Sequence, residues 1–445
     1  MSPVRPTLRV LLGAFGDPGH AFPMIALGRA LAARGHDVTV QTWERWREPI
    51  EAEGLTFAAA PEYHVFPSGP EPLDFYEAVV HATRDTLPLV AALQPDVVVA
   101  DILTLAPALA AEIEGVPCAT LIPHVFPEGA PGLPIYSLGA RLPRTAAGRA
   151  FWRRAGRPLE HGLQLGRAQL NDVRARLGLP ALDYTHGGTS RDLALVATFP
   201  QLEYPRSWPS HAHVVGPLMW EPPAADVELP PGEAPLVLVA PSTAQDPSHR
   251  MLHAALRGLA DAPVRVLATW NRRLPPRSLP VPANARVVDW VSYARTMPLC
   301  DVVVCHAGHG TLVRALSSGC AVVACPAIGD MNENASRVSW AGAGVRVPQR
   351  FISPRPLRLA VERALEEPSI RARARELAAW AGSHDAGGAA AGLVEELAMC
   401  EPIEVSWSQT PLRVHRAQSI ELDATDFQAT SKQLPGWGSN PQPLD

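Results

Sequence analysis

Two polar residues stand where apolar runs end. His20 follows the run Leu8–Leu12 and the turn-forming segment Gly13-Ala14-Phe15-Gly16-Asp17-Pro18-Gly19, and Asp101 closes the run Val97-Val98-Val99-Ala100. Short apolar runs of this kind are strands buried on both faces. Ligands of open α/β sheets gather at the carboxyl ends of such strands. Histidine is half-titrated near neutral pH, so it can take a proton from a hydroxyl. A buried aspartate beside it would fix the tautomer and favour the imidazolium that forms. A capping or packed histidine has the same appearance, and the residue types alone leave both readings open.

A second set of chemical residues lies in 302–347. The run Val302-Val303-Val304-Cys305 stops at His306, and Gly308, Gly310 and Thr311 follow. Leu312, Val313 and Leu316 then recur at helical spacing up to Gly319. A strand, a glycine turn and a helix start present free backbone N–H groups and a positive dipole end, which suit a phosphate. Glycine lets the backbone approach the anion. The run Ala321 to Cys325 leads through Pro326 into a second turn, Gly329-Asp330-Met331-Asn332-Glu333-Asn334, and another helix. In a matching turn earlier in this half, Ser242 and Thr243 follow the run Leu236-Val237-Leu238-Val239-Ala240.

These residues need two sheets to hold them. The 445-residue chain is too long for one ordinary core. In the first half, strands are expected at Leu8–Leu12, Val38–Gln41, Leu55–Phe57, Val97–Asp101, Cys118–Ile122, Leu193–Ala197 and His213–Val215, with a helix from Phe22 to Ala33 after a turn that holds His20. Segments 61–90 and 123–160 read as irregular, proline- and aromatic-rich insertions. Residues 217–235 lack periodicity and are rich in proline, so they read as a linker. Beyond it, strands at Leu236–Ala240, Val264–Ala268, Ala285–Val288, Val302–Cys305 and Ala321–Cys325 alternate with helices, and Pro354–Leu365 and Ile370–Leu397 are helical. Alternation of this kind makes parallel sheets covered on both faces.

Composition excludes other classes. There are 38 arginines and a single lysine, Lys432, so residues 1–431 supply neither a P-loop lysine nor a Schiff-base lysine. The net charge of −5 gives no reason to expect nucleic acid. No apolar run reaches membrane-span length, and Leu8–Phe15 is too short for a cleaved signal, so a cytoplasmic protein is expected. Four of the six cysteines cluster at 300, 305, 320 and 325 without zinc-knuckle spacing and read as buried thiols. Residues 401–445, which hold the lysine and end in GWGSNPQPLD, read as a disordered or read-through tail.

The His-x-Gly-x-Gly-Thr turn at 306–311, the glycine at the helix end and the Gly-Asp-Met-x-x-Asn-Ala turn at 329–335 resemble the donor signature of family 1 glycosyltransferases, closest to the actinobacterial branch acting on natural products. The likeness covers about residues 7 to 399. It implies an α/β, GT-B architecture, two Rossmann-like doubly wound domains facing across a cleft: an acceptor domain over 1–216, the linker 217–235, and a donor domain over 236–400. It implies an inverting transfer of a hexose from a UDP- or TDP-sugar to a hydroxyl of a small hydrophobic acceptor, by a monomer or homodimer. Gly19-His20-Ala21-Phe22-Pro23 looks like the family's base-carrying turn, with Asp101 as partner. Ser242, Thr243, His306, Gly308, His309, Gly310 and Thr311 would face the diphosphate, Trp290 and Val291 the nucleoside, Asp330 and Met331 the sugar, with Asn334 supporting the turn. Phe15, Phe66, Phe75, Phe126 and Trp152 would line the acceptor. Arg314 stands where plant relatives carry a ribose-binding acid, which leaves UDP against TDP open. A non-catalytic helper or a GT-B epimerase or cell-wall-type transferase are the alternatives; loss of the base and the donor turn would mark a helper, and both are present.

No cofactor or metal is expected, because the chain contains no Asp-x-Asp pair with which to hold a metal on the diphosphate. Transfer should therefore run at an unchanged rate in EDTA. Strict dependence on added Mn²⁺ or Mg²⁺ would contradict this.

Overall fold

The computed structural model describes residues 6–62, 74–242, 246, 248–272, 275 and 278–400, with Phe75 described by its backbone alone. Phe66, Thr243, the side chain of Phe75 and the segment 401–445 lie outside the described residues.

The first half runs β1 (Arg9–Gly13), α1 (Pro18–Ala33), β2 (Asp37–Thr42), α2 (Arg47–Ala52), β3 (Thr56–Ala59), α3 (Phe75–Leu93), β4 (Val97–Asp101), α4 (Leu105–Glu114), β5 (Cys118–Ile122), α5 (Ala146–Ala155), α6 (Arg157–Arg176), β6 (Leu193–Val196) and β7 (Ala212–Val214). The second runs β8 (Leu236–Ala240), α7 (Arg250–Gly258), β9 (Arg265–Thr269), β10 (Ala285–Val288), α8 (Tyr293–Thr296), β11 (Val302–Cys305), α9 (His309–Ser317), β12 (Ala321–Ala324), α10 (Asp330–Trp340), β13 (Gly344–Arg346), α11 (Pro354–Glu366), α12 (Pro368–Ser383) and α13 (Ala386–Met399).

The strands form two sheets, in the orders β3-β2-β1-β4-β5-β6-β7 and β10-β9-β8-β11-β12-β13. Every pairing is parallel. Strand order reverses direction between β1 and β4 in one sheet and between β8 and β11 in the other. At such a switch point the connections leave in opposite directions and open a crevice at the carboxyl ends. The central strands are buried along almost their whole length, which is why they read as unbroken apolar runs.

Several boundaries differ from the sequence expectation. α1 begins at Pro18, so His20 lies in the first helical turn rather than in a preceding loop. Proline at the first helical position loses no bond, and its fixed φ suits the helix. Pro23 sits inside this helix and gives up only the bond to the carbonyl of the exposed Gly19. Within the two segments expected to be irregular, 75–93 is α3 and 146–155 is α5.

The segment 217–235 is not a free spacer. Leu218 and Trp220 are buried in the first-half core, while Val227 and Leu229 pack on the second-half core. The Trp220 indole N–H donates to Glu53 at 2.7 Å. The expected second domain, 236–400, also loses its last helix. α13 buries Ala386, Ala390, Ala391 and Val394 in the first core, against Leu8, Met24 and Leu27 among others. Its Glu395 carboxylate accepts from the Arg34 guanidinium at 2.5 and 2.7 Å and from His36 Nε2 at 2.9 Å. The Leu8 N–H donates to His36 Nδ1, so the ring proton sits on Nε2, facing Glu395.

Glu395 is 2% exposed and its partner Arg34 is partly exposed. Glu395→Ala would strip two cationic or polar groups of their acceptor and should cost about 2–3 kcal/mol. A lowered denaturation midpoint of the first half, with the second half less affected, is the expected result.

Candidate active site

His20 and Asp101 meet at the β1–β4 switch point. His20 Nδ1 lies 2.8 Å from Asp101 Oδ2 and 3.0 Å from Oδ1. The Asp101 side chain is fully buried, and His20 keeps 18% exposure. A buried carboxylate must find donors. Besides His20, Asp101 accepts from the Leu103 N–H at 2.9 Å. With its proton held on Nδ1 toward Asp101, the ring turns an Nε2 lone pair away from the pair. Burial works to lower the His20 pKa, but the charge and hydrogen bond of Asp101, aided by Asp17 and Asp330, outweigh it, and the net shift is upward from 6.5. Close packing sets the approach: a Cβ at Gly16 would fall 2.0 Å from the Trp43 ring. Phe15 stands edge-on to both Trp43 and His20, with centroids 5.0 and 6.0 Å apart.

The facing crevice belongs to β8 and β11. His306 follows β11, and its ring covers Gly308 so closely that a Cβ there would lie 2.3 Å from Nε2. Ala307, between them, takes φ +65°, a left-handed conformation that costs a non-glycine residue energy. α9 then opens at His309 with Gly308 as its cap and no side-chain cap, leaving the N–H groups of the first turn, including those of Gly310 and Thr311, for an anion. His306 Nδ1 lies 3.4 Å from the Ala240 carbonyl, and burial lowers its pKa. Gly329, at φ +55° and ψ −132°, caps α10 in a conformation that only glycine adopts readily. Asn334 donates to the Ala307 carbonyl at 3.1 Å and lies 3.4 Å from both Asp330 and His309 Nδ1, so it ties the α10 turn to the α9 turn. His309 is buried and its pKa is pushed down to about 3, chiefly by burial and then by His124.

Asp330 is the meeting point. Its charge acts on His20, His124 and Tyr136 from the first half and on His306 from its own half. The two crevices therefore face one another across a single cleft.

The nucleoside side is more mixed. Trp290 is partly exposed, lies near-parallel to Tyr293 at 6.4 Å, and has the Arg272 guanidinium 4.7 Å over its ring. Val291 is buried in the second core, so its side chain cannot contact a donor and only its backbone can. Met331 packs on the same core and is half-buried. Ser242 is buried just past β8. Arg314 is half-buried, its pKa lowered by burial, with Glu221 close enough to oppose that shift. Glu221 itself accepts from the Ser292 hydroxyl and from the Ala294 N–H.

Of the expected acceptor residues, Phe126 lies in a core and Trp152 lies on a helix. Phe126 is 1% exposed, packed with Ile122, Ala194 and Val196 under Trp208, because the chain after β5 turns inward there. Trp152 sits on α5, edge-on to the exposed Phe151. His124 and Tyr136 belong to the 123–160 stretch that the resemblance places around the acceptor, but neither is singled out from the sequence as a site residue. His124 stands two residues beyond β5, the same strand-end position that singled out His20 and Asp101. Its Nδ1 lies 2.7 Å from the Val125 carbonyl and 3.3 Å from the Tyr136 hydroxyl. Burial lowers its pKa, so the ring is held neutral with Nε2 unprotonated.

A histidine–aspartate pair facing a glycine-turn helix start, across two doubly wound parallel sheets, is the arrangement that the resemblance to GT-B glycosyltransferases implied. Residues 254–397 match the family profile described as erythromycin biosynthesis protein CIII-like, C-terminal domain. The chain is 30% identical over 428 residues to 4'-demethylrebeccamycin synthase of Lentzea aerocolonigenes, covering 87% of this chain and 99% of that one. It is 28% identical over 447 residues to O-mycaminosyltylonolide 6-deoxyallosyltransferase of Streptomyces fradiae, covering 92% and 99%. Among solved structures, the glycotransferase of kitacinnamycin superposes with a TM-score of 0.71 at 22% identity, covering 88% and 99%, and VinC in complex with dTDP with 0.64 at 21%, covering 88% and 99%. The chain belongs to the family of actinobacterial natural-product glycosyltransferases. Among its described residues, no helix is long and apolar enough to cross a membrane.

If His20 is the base, His20→Ala should lower the transfer rate on the order of 10²–10⁴-fold. A base with a raised pKa is inactive while protonated, so kcat/KM should climb with pH through an apparent pKa above 6.5. Asp101→Asn removes the larger upward influence and should move that limb to lower pH. A pH–rate series on an alkyl alcohol and a phenol reads both effects, and the phenol, which ionises more readily, should lose less.

Proposed function

We propose that the enzyme moves a hexose from a UDP- or TDP-sugar to a hydroxyl of a small hydrophobic acceptor, with inversion. His20 Nε2 takes the hydroxyl proton as the oxygen attacks the anomeric carbon from the face opposite the diphosphate. The bond from that carbon to the diphosphate oxygen breaks, and its electron pair leaves with the nucleoside diphosphate. An α-linked donor gives a β-linked product. Asp101 stabilises the imidazolium. The negative charge that grows on the leaving group meets the open N–H groups at the start of α9 and the His306 ring, which needs no metal. Asp330 is placed to accept from sugar hydroxyls, and Asn334 keeps its turn in register. Trp290 offers a stacking surface for the base, with Arg272 moving aside or beside it. Phe15 and the loop carrying His124 line the acceptor side.

The observation that carries this reading is the contact of His20 with buried Asp101 within electrostatic reach of Asp330. The donor class is supported by the match to VinC, which was solved with dTDP, and by relatives named for deoxysugar transfer. The test is a mass-spectrometric screen of UDP- and TDP-sugars against phenolic, polyketide and macrolide alcohols, with the product anomer read by NMR. A β-glycoside from an α-linked donor, lost in His20→Ala, is expected. An α-linked product would exclude the inverting step, and absence of transfer from every nucleotide sugar would favour a helper role.

A further inference from the structure

The two halves are joined beneath the cleft by buried charges. Arg337 of α10 is 4% exposed. Its guanidinium lies 2.6 Å from Glu203, in the β6–β7 connection of the first half, and 2.8 Å from Glu333, one turn earlier on α10. It also donates to the Leu202 carbonyl at 3.2 Å and sits 4.3 Å over the Tyr204 ring. The other oxygen of Glu203 accepts from the Phe126 N–H at 2.7 Å. Phe126 is two residues past His124. A continuous buried chain thus runs from the acceptor-side loop through Glu203, Arg337 and Glu333 into α10.

The same helix is gripped from a second side. The Ser336 hydroxyl donates to the Ala140 carbonyl at 3.1 Å. At Gly139, φ +61°, a Cβ would lie 2.5 Å from the Asn332 carbonyl oxygen. Val125, Phe199 and Leu202 of the first half are buried in the second-half core beside these contacts.

Arg337 lies seven residues after Asp330. Seven residues at 3.6 per turn is nearly two full turns, so both project from one face, roughly 10 Å apart along the axis. A rotation or slide of α10 at Arg337 is therefore a displacement of Asp330. A buried ion cluster is a weak stabiliser, since an apolar group of equal volume holds as well. In some proteins such charges serve instead to restrict the packing to one geometry.

We infer that Arg337 is a positioning residue for transfer, locking the Asp330 turn of α10 in register with the acceptor-side loop through Glu203. The inference rests on the reading that this turn handles the donor sugar. It predicts that loosening the lock spoils the alignment of donor and acceptor without spoiling the binding of the nucleotide. Water, which needs no alignment by the acceptor loop, then competes better for the anomeric carbon.

The experiment compares wild type, Glu203→Gln, Arg337→Lys and the fully neutral Glu203→Gln/Glu333→Gln/Arg337→Met, with Asp330→Ala alongside. Glu203→Gln keeps the shape and the acceptor for the Phe126 N–H. The triple variant also neutralises Glu333, which Arg337 pairs at 2.8 Å, so no buried charge of the cluster is left unpaired if a single substitution impairs folding. Measured are the melting temperature, TDP affinity by calorimetry, and the ratio of donor hydrolysis to transfer with a fixed acceptor. A misplacement near 1 Å can cost up to about 10²-fold in rate. Expected are TDP affinity within about 3-fold of wild type, transfer lowered by at least about 10-fold, a hydrolysis-to-transfer ratio raised by a similar factor, and partial recovery in Arg337→Lys. Folded Glu203→Gln and triple variants with wild-type transfer and an unchanged ratio would overturn the inference, as would losses that only track the folded fraction. Wild-type behaviour of Asp330→Ala would instead overturn the donor-turn reading on which it rests.

Discussion

A carboxylate cannot be buried alone, and this constraint organises the acceptor half. Asp101 ends a strand inside the sheet and is 1% exposed. It is stable there only because a backbone N–H and an imidazole reach it, and the imidazole comes from a segment 81 residues away. For that ring to arrive, β1 must end at Gly13, where a Cβ would strike Pro107, and the chain must pass Trp43 at Gly16. α1 must then begin early enough for His20 to fall in its first turn. The pairing that satisfies the aspartate also raises the proton affinity of the histidine. One interaction thus serves packing and chemistry.

The cleft divides its histidines by environment. His20 has a carboxylate within hydrogen-bonding distance and gains proton affinity. His124, His306 and His309 have carbonyls or an amide at that distance instead, and burial lowers all three. Sequence distance has no part in this. Identical side chains acquire opposite tendencies from the group placed against Nδ1.

What could be read in advance follows the same physics. Central parallel strands are covered on both faces, so their composition is set locally, and β4, β8 and β11 stand out as apolar runs. Glycine turns also announce themselves, because Gly308 and Gly329 answer to a close ring and a positive φ. Features that depend on distant partners were not legible. Nothing in Phe126 distinguishes a core ring from a lining ring until Trp208 and β6 are beside it. Val291, expected on the nucleoside side, buries its side chain in the second core, which only the packing around it reveals. Arg337 reads as one more solvated charge of an amphipathic helix; only the docking of the 199–204 segment buries it. His124 is the exception, since the strand-end argument applied to it from the start.

The route of the chain has a consequence for how the protein is made. α13 closes the core begun by β1, yet residues 215–385, most of them the other half, separate it from β7. Domains emerging from a ribosome ordinarily fold in order of synthesis. Here the first half cannot seal its apolar face until residues 386–399 have been translated, so it must wait, incomplete, while the second half folds. The same routing sets the rule for building chimaeras. An exchange of donor halves between relatives needs two junctions, one near Gly216 and one near His384, where the outgoing and returning chains pass each other and His384 bonds the Val215 carbonyl at 2.9 Å. A single cut at the linker would close the first half with the other parent's last helix.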